Sequence, residues 1–166
     1  KLSTPQNKFN TLAVSHIQGA SNNFEGDYDA PLMVVGSDSF YSIIDDKKLG
    51  IQGRHYPVSN DDQIKLGFVA YQSGLHKISL NEKEGIFAAE QKIYLKDLQT
   101  GTFTDLTQGD YSFSSNAGKY DDRFIILYKP ESLVLAAGNY SKDQVKVFRD
   151  GNNFTVRSSG SKIIAI

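Results

Sequence analysis

The stretch whose reading decides the fold runs from Gln91 to Lys129, QKIYLKDLQTGTFTDLTQGDYSFSSNAGKYDDRFIILYK. In Lys92–Lys96 the apolar Ile93 and Leu95 alternate with Lys92, Tyr94 and Lys96. That is the pattern of a half-buried strand, whose successive side chains face opposite ways. Gln99, Thr100 and Gly101 then supply a turn, glycine being the residue that readily takes the positive φ of a short hairpin loop. Phe103–Leu106 leads to a second turn at Gln108–Asp110, and Tyr111 and Phe113 stand two apart on the run that follows. Ser114–Asp122 reads as a longer polar loop before the strand Phe124–Tyr128, and Pro130 ends the run because it cannot donate to a ladder. The stretch predicts consecutive antiparallel strands and carries no chemistry of its own.

Upstream, Lys1–Asn10 is polar, contains Pro5, and is expected to be a tail or linker. Thr11–Gln18 places Leu12, Val14 and His16 on one face of a first strand. Leu32–Val35 after Pro31 and then Phe40–Ile44 read as short apolar strands, the second closed by the charged turn Asp45–Lys48. In Ile64–Tyr71 the residues Ile64, Leu66, Phe68 and Ala70 alternate with Lys65, Gly67, Val69 and Tyr71, and Ser73-Gly74 suggests a hairpin into Leu75–Leu80. Glu82–Glu90 has room for a helical turn. Downstream, Leu133–Ala137 reads as a last core strand. From Ser141 the texture changes to two runs, Gln144–Arg149 and Phe154–Ser158, joined at Asp150-Gly151, a strong short-hairpin signal. The chain stops on the apolar Ile163–Ile166, which reads as a strand cut short.

Counted together these give roughly ten to thirteen short strands at the spacing of an all-β sandwich. The expected fold is an antiparallel β-sandwich of jelly-roll type over residues 11–140, with residues 1–10 as tail or linker and residues 141–166 as a small C-terminal β-hairpin module. The length of 166 residues suits one core without staples. With 10 Phe, 9 Tyr, one Met and no Trp, the composition favours packed sheets over a helical bundle. Basic residues number 18 against 19 acidic, so there is no electrostatic footprint for nucleic acid or an anionic membrane. The absence of cysteine excludes disulfides, thiol catalysis and thiolate metal sites. No run approaches the ~18 apolar residues of a spanning helix, so membrane insertion is not expected. No signal-like segment stands at Lys1, so an exported protein would contain this chain as a mature or excised piece.

Acidic side chains are the most frequent polar feature. Glu25, Asp27 and Asp29 alternate in one loop and are the best candidate for a calcium site, since calcium gathers carboxylate and carbonyl oxygens and interstrand loops supply them; the competing reading is solvated acids that shape turns. Arg123, following Asp121 and Asp122 at a strand entrance, has the planar fork suited to tying a loop to the end of a sandwich. A ligand-facing role is the alternative. His16, His55 and His76 show no metal-like spacing, and two of them alternate with core positions, so they read as satisfied, partly buried residues. No serine sits in a nucleophile elbow, no phosphate loop or dinucleotide fingerprint occurs, and no cofactor is called for; an enzyme is not expected. Tyr28, Phe40, Tyr41, Tyr56, Tyr71, Tyr111 and Tyr120 are candidates for exposed rings. Tyr56 and Tyr120, in loops beside charges, are the places where a flat face with polar neighbours would hold a sugar.

The segments LGIQGRHYP (Leu49–Pro57), IKLGFVAYQSGLHKISL (Ile64–Leu80) and IYLKDLQTGTFTDLTQGDYSFSSNAGKYDDRFIILY (Ile93–Tyr128) resemble the region that precedes the C-terminal sorting signal in large secreted proteins of Bacteroidetes. These are cargo of the type IX secretion system. The tail VKVFRDGNNFTVRSSGSKIIAI (Val145–Ile166) resembles the opening of such a sorting domain. The resemblance implies a β-sandwich module on a secreted or cell-surface protein. Its expected partners are the larger passenger domains of the same parent and an extracellular glycan or protein. It carries over no functional residue. The function expected is a non-catalytic structural or interaction module, adhesin-like, with a carbohydrate-binding module using loop aromatics and acids, with or without calcium, as the alternative.

Overall fold

The computed structural model describes residues 1–130, 145–150 and 153–158. The chain divides into two compact units, Lys1–Pro130 and Glu131–Ile166.

The first unit is all-β and sandwich-like, with a wide sheet and a narrow one. The wide sheet contains β3 (Ala13–Ile17), β4 (Ala30–Pro31), β5 (Phe40–Ile44), β6 (Lys47–His55), β7 (Gln63–Ala70), β9 (Tyr94–Asp97), β10 (Phe103–Asp105) and β12 (Gly118–Leu127). Its order is β10-β9-β12-β7-β5-β6-β3, with β4 alongside β6. The narrow sheet contains β1 (Leu2–Ser3), β2 (Phe9–Asn10), β8 (Gly74–Ile78) and β11 (Tyr111–Ser115), in the order β11-β8-β1-β2. Pairing is antiparallel throughout except that β3 runs parallel to β6. The chain between those two strands contains β4 and β5, which makes it long enough for the crossover that a parallel pair requires.

The period-two pattern of Ile64–Tyr71 is realised: Ile64, Leu66, Phe68 and Ala70 are buried between the sheets. Leu2, Ile78 and Phe113 reach the same core from the narrow sheet. Phe68 packs edge-on to Phe113 at 5.5 Å, and Phe113 edge-on to Phe124 at 4.8 Å, so aromatic rings fill the space between the layers.

Four expectations need correction. Lys1–Asn10 is not a tail: β1 pairs with both β2 and β8, and Leu2 is 0% exposed, because one apolar side chain among polar neighbours suffices to anchor a two-residue strand. β7 and β8 are not a hairpin. The chain passes from the wide to the narrow sheet at Tyr71–Ser73 and returns between β11 and β12, so β7 pairs with β12 in one layer and β8 with β11 in the other. Ser73 Oγ accepts a 3.0 Å hydrogen bond from the Ala117 N–H and ties the two crossings together. Leu32–Val35 is a loop, with Met33 100% exposed, because after the Leu32 N–H bonds the Lys48 carbonyl of β6 at 2.8 Å the chain leaves that strand and no neighbouring strand receives it. The stretch expected as the loop Ser114–Asp122 is largely strand. Within β12 three residues, Asp121, Asp122 and Arg123, stand opposite the single Gly67, and this bulge lets Tyr120 and Phe124 both meet β7.

Within the second unit, β13 (Val145–Asp150) pairs antiparallel with β14 (Asn153–Ser158), in register from Val145↔Ser158 to Asp150↔Asn153. The strands expected at Leu133–Ala137 and Ile163–Ile166 lie outside the described residues.

Candidate functional site

The two sheets are unequal, and the inequality makes a site. The narrow sheet contains two strands of only two residues each, β1 and β2, so it cannot cover the inner face of the wide sheet at its β5, β6 and β3 side. There the wide sheet also divides. Leu49 pairs with both Ser42 of β5 and Pro31 of β4, while Ile51 pairs with both Ala13 of β3 and Ala30 of β4. A strand residue has one neighbour on each side, so β3 takes over from β5 along one flank of β6. Between this flank and the chain from Ile78 to Phe87 lies a cleft of about 1030 Å³.

Its walls are mainly apolar. Leu12 and Val14 come from the β3 segment, Leu80 and Phe87 from the strap after β8, and Ile93 and Ile126 from the far side. All six are packed on the core yet only half-buried. The strap holds a single short helix, α1 (Ile86–Ala89), with no buried residue. Its charged residues Glu82, Lys83 and Glu84 stand exposed on the cleft's rim, and the partly buried Lys1 lines the cleft as well.

One polar group of consequence interrupts the apolar wall. His16 Nδ1 lies 2.7 Å from the His55 carbonyl, which can only accept, so Nδ1 bears the proton and Nε2 is the acceptor. Tyr128 then donates its hydroxyl to Nε2 over 3.1 Å. Behind them Arg54 Nη2 is 3.2 Å from Asp62 Oδ1, and Asp62 Oδ2 is 4.0 Å from His16 Nδ1. Burial lowers the His16 pKa from its ordinary value; the His55 carbonyl and Asp62 oppose this only in part. Burial likewise pushes the Tyr128 phenol well above its ordinary value. Both side chains are therefore neutral near pH 7 and hydrogen-bonded to each other.

Of the residues expected to bind ligand, Tyr56 lies on the cleft's lining and is 45% exposed. Tyr120 does not offer a free ring: it stacks on Phe68 at 4.8 Å with an interplanar angle of 12°, and its hydroxyl donates to the Asn116 carbonyl. The pleat turns it inward, so the two rings that a sugar would need do not share a surface. Arg123 is buried and binds Asp97 with Nη2 at 2.9 Å and Nε at 3.2 Å from both carboxylate oxygens. The loop-tying role is the one it fills. Phe40 and Tyr41 are buried as well.

The proposed calcium ligands do not converge. Asp29 Oδ1 accepts from the Gly53 N–H at 2.9 Å and Oδ2 from the Glu25 N–H at 2.7 Å, while Glu25 accepts from the Ser21 N–H at 2.8 Å. These carboxylates brace the loop, and Asp27 is exposed. Among the described residues no three acidic, histidine or cysteine side chains are placed to hold a metal. Nor is any described helix long and apolar enough to cross a membrane.

Sequence reasoning found His16 as an inward-facing, satisfied histidine and singled out Tyr56, which lines the cleft, but missed Tyr128, the strap and the cleft itself. The half-buried face Leu12, Val14, His16 was the available signal. No curated protein and no solved structure matches the chain. Residues 1–128, which contain both sheets and every residue of the cleft, match the family described as Domain of unknown function (DUF8693), and the chain belongs to that family.

Proposed function

We propose that residues 1–128 form a non-catalytic binding module, a sandwich of jelly-roll type, on a secreted, cell-surface bacterial protein, and that the module binds through the cleft between its unequal sheets. The observation that supports this is the contrast between polar and apolar groups. Arg123 and Asp29 are occupied in bonds within the fold, whereas six apolar side chains around a cleft of about 1030 Å³ remain half-buried. Pockets that bury small molecules are concave, largely apolar and furnished with few polar groups. Placement outside the cell rests on the likeness of Leu49–Pro57, Ile64–Leu80 and Ile93–Tyr128 to cargo of the type IX route; the larger domains of the parent protein would then be the module's covalent neighbours.

Titration with the neutral apolar dye N-phenylnaphthylamine tests the site. Saturable fluorescence enhancement is expected with one dye per chain, reduced at least fivefold in affinity by Val14→Phe and by Leu80→Phe, which fill the cleft from opposite walls. Dye binding unchanged in both variants, or absent from the wild-type protein, would overturn the cleft as the site.

A further inference from the structure

The hydrogen-bonding capacity left on the cleft wall defines what kind of molecule it accepts. Resting on the reading of the cleft as the binding site, we infer that its ligand is an uncharged lipophile carrying a hydroxyl group, of the class of long-chain alcohols, and that the ligand hydroxyl donates to Tyr128 Oη.

In the neutral His16–Tyr128 pair, Nδ1–H is given to the His55 carbonyl, Nε2 is taken by the phenol, and the phenol's one proton is given to Nε2. What remains is the lone-pair capacity of Tyr128 Oη, an acceptor. A carboxylate has only acceptors, so it would meet a lone pair at this point and lose its water without compensation. A hydroxyl supplies the missing donor. Charge agrees with hydrogen bonding. Arg54, whose charge acts on both members of the pair, is engaged by Asp62. On the rim, Lys1 and Lys83 are balanced by Glu82 and Glu84, and Lys1 Nζ lies over the Phe9 ring at 4.5 Å. Neither the wall nor the rim offers an unopposed positive charge to an acid head group.

The shape of the site suits a flexible apolar chain. Its lining comes from separate segments, β3, the strap and the β9 and β12 side, and the aliphatic residues Leu12, Val14, Leu80, Ile93 and Ile126 dominate over aromatic platforms. Phe87 of the strap packs against both members of the polar pair, 5.6 Å from the His16 ring and 5.6 Å from the Tyr128 ring, so the polar spot sits under the strap and away from bulk water.

Competition of decanol and decanoate against bound N-phenylnaphthylamine distinguishes the head groups at fixed chain length. Decanol is expected to displace the dye at a concentration about tenfold lower than decanoate, the size of one hydrogen bond made against one acceptor left opposed. In Tyr128→Phe, which keeps the ring and its packing, the preference is expected to shrink to about twofold, each displacement being referred to the dye affinity of that variant. A folded Tyr128→Phe protein that keeps the tenfold preference would overturn the assignment of Tyr128 Oη. Equal or better displacement by decanoate would overturn the ligand class while the binding reading stands. Loss of dye binding in Val14→Phe and Leu80→Phe is the separate test of that reading, and near-wild-type thermal unfolding of each variant shows that it has folded.

Discussion

Arg123 and Asp97 meet as a buried two-pronged ion pair that crosses the sandwich. The pair joins β12 to the end of β9 within the wide sheet, and two further bonds reach the narrow sheet: Tyr111 donates to Asp97 Oδ2 at 2.8 Å, and Arg123 Nη1 donates to the Ser114 carbonyl at 3.2 Å. The guanidinium also lies 4.5 Å from the Phe113 ring and 5.0 Å from the Phe124 ring, so its charge sits beside both aromatic rings in the core.

Removing one partner leaves the other charged and buried. Arg123→Ala is therefore expected to destabilise the fold by about 3–5 kcal/mol, with Arg123→Lys recovering little, since a point charge cannot reproduce the fork. Replacing both, as Arg123→Met with Asp97→Leu, is expected to cost less than either single change. Urea unfolding of the wild-type protein, these variants and the single parents Arg123→Met and Asp97→Leu checks the order; a double variant no more stable than its worse single parent would show that burial of an unpaired charge is not the dominant cost.

The same pair sets an acid limit. Burial by itself pushes the Asp97 carboxyl up, but hydrogen bonds from Arg123, Tyr111 and the Gln99 N–H together outweigh it, and the net shift is below the usual 3.8. A carboxylate with a depressed folded pKa stabilises fully above its unfolded value and loses that contribution as pH falls through the folded one. The urea midpoint is expected to be insensitive to Asp97 at neutral pH and to decline below pH ~4. Asp97→Asn should be less stable throughout and show a shallower decline; an identical acid slope in wild type and variant would rule Asp97 out as its source.

How much of this was legible varied with the range of the interaction involved. The alternation in Ile64–Tyr71 translated directly into β7 because period two is a property of the strand itself. So did the Gly101 turn, where φ is 75° and the Gly101 N–H reaches the Asp97 carbonyl at 2.8 Å. Ser73-Gly74 is equally turn-like, yet it carries the chain between layers, because a local turn signal does not say whether the next strand pairs beside its predecessor or crosses over it. Tyr120 reads as an exposed loop ring, and Ser114–Asp122 as loop, because the bulge opposite Gly67 is set by pairing with a strand far earlier in the chain. The cleft is further still from local pattern. It follows from a wide sheet facing a narrow one, and no single segment records that inequality.

Gly67 marks a close approach on the outer face of the wide sheet. A Cβ there would lie 2.3 Å from Tyr41 Cε2 and 2.8 Å from Asp121 Oδ1. The displaced groups are tightly held: Tyr41 donates to Asp121 Oδ1 at 2.6 Å, and Lys48 Nζ lies 2.7 Å from Asp121 Oδ2 and 4.6 Å from the Tyr41 ring. Gly67→Ala is expected to cost about 1–3 kcal/mol through this overpacking. Shortening the ring in Gly67→Ala with Tyr41→Leu should remove the clash, so the double variant should lose less than the sum of the two single changes in chemical denaturation. Strict additivity would place the strain elsewhere.

His16 makes the cleft sensitive to pH, and the sign follows from its surroundings. The groups around it are the His55 carbonyl, Tyr128, Asp62, Arg54 and the His55 ring, with Phe87 across the strap; desolvation dominates, and the folded pKa lies below the ordinary 6.5. The unfolded chain therefore takes up a proton first as pH falls. Stability is fully present above pH ~6.5, declines below it, and levels off once pH passes the folded pKa. His16→Gln should flatten that decline in a series of urea midpoints between neutral and mildly acidic pH. Protonation also reverses the hydrogen bond on the cleft wall: Nε2 becomes a donor, Tyr128 Oη accepts from it, and the phenol proton is freed to be donated. An acceptor head group then gains a donor, while a hydroxyl keeps its bond by accepting instead of donating. The preference for decanol over decanoate is accordingly expected to narrow as His16 titrates in the folded protein, measured by dye displacement and corrected with Tyr128→Phe for the protonation of decanoate itself. A preference that holds constant through the titration of His16, followed by its ring proton resonances, would uncouple the histidine from the cleft.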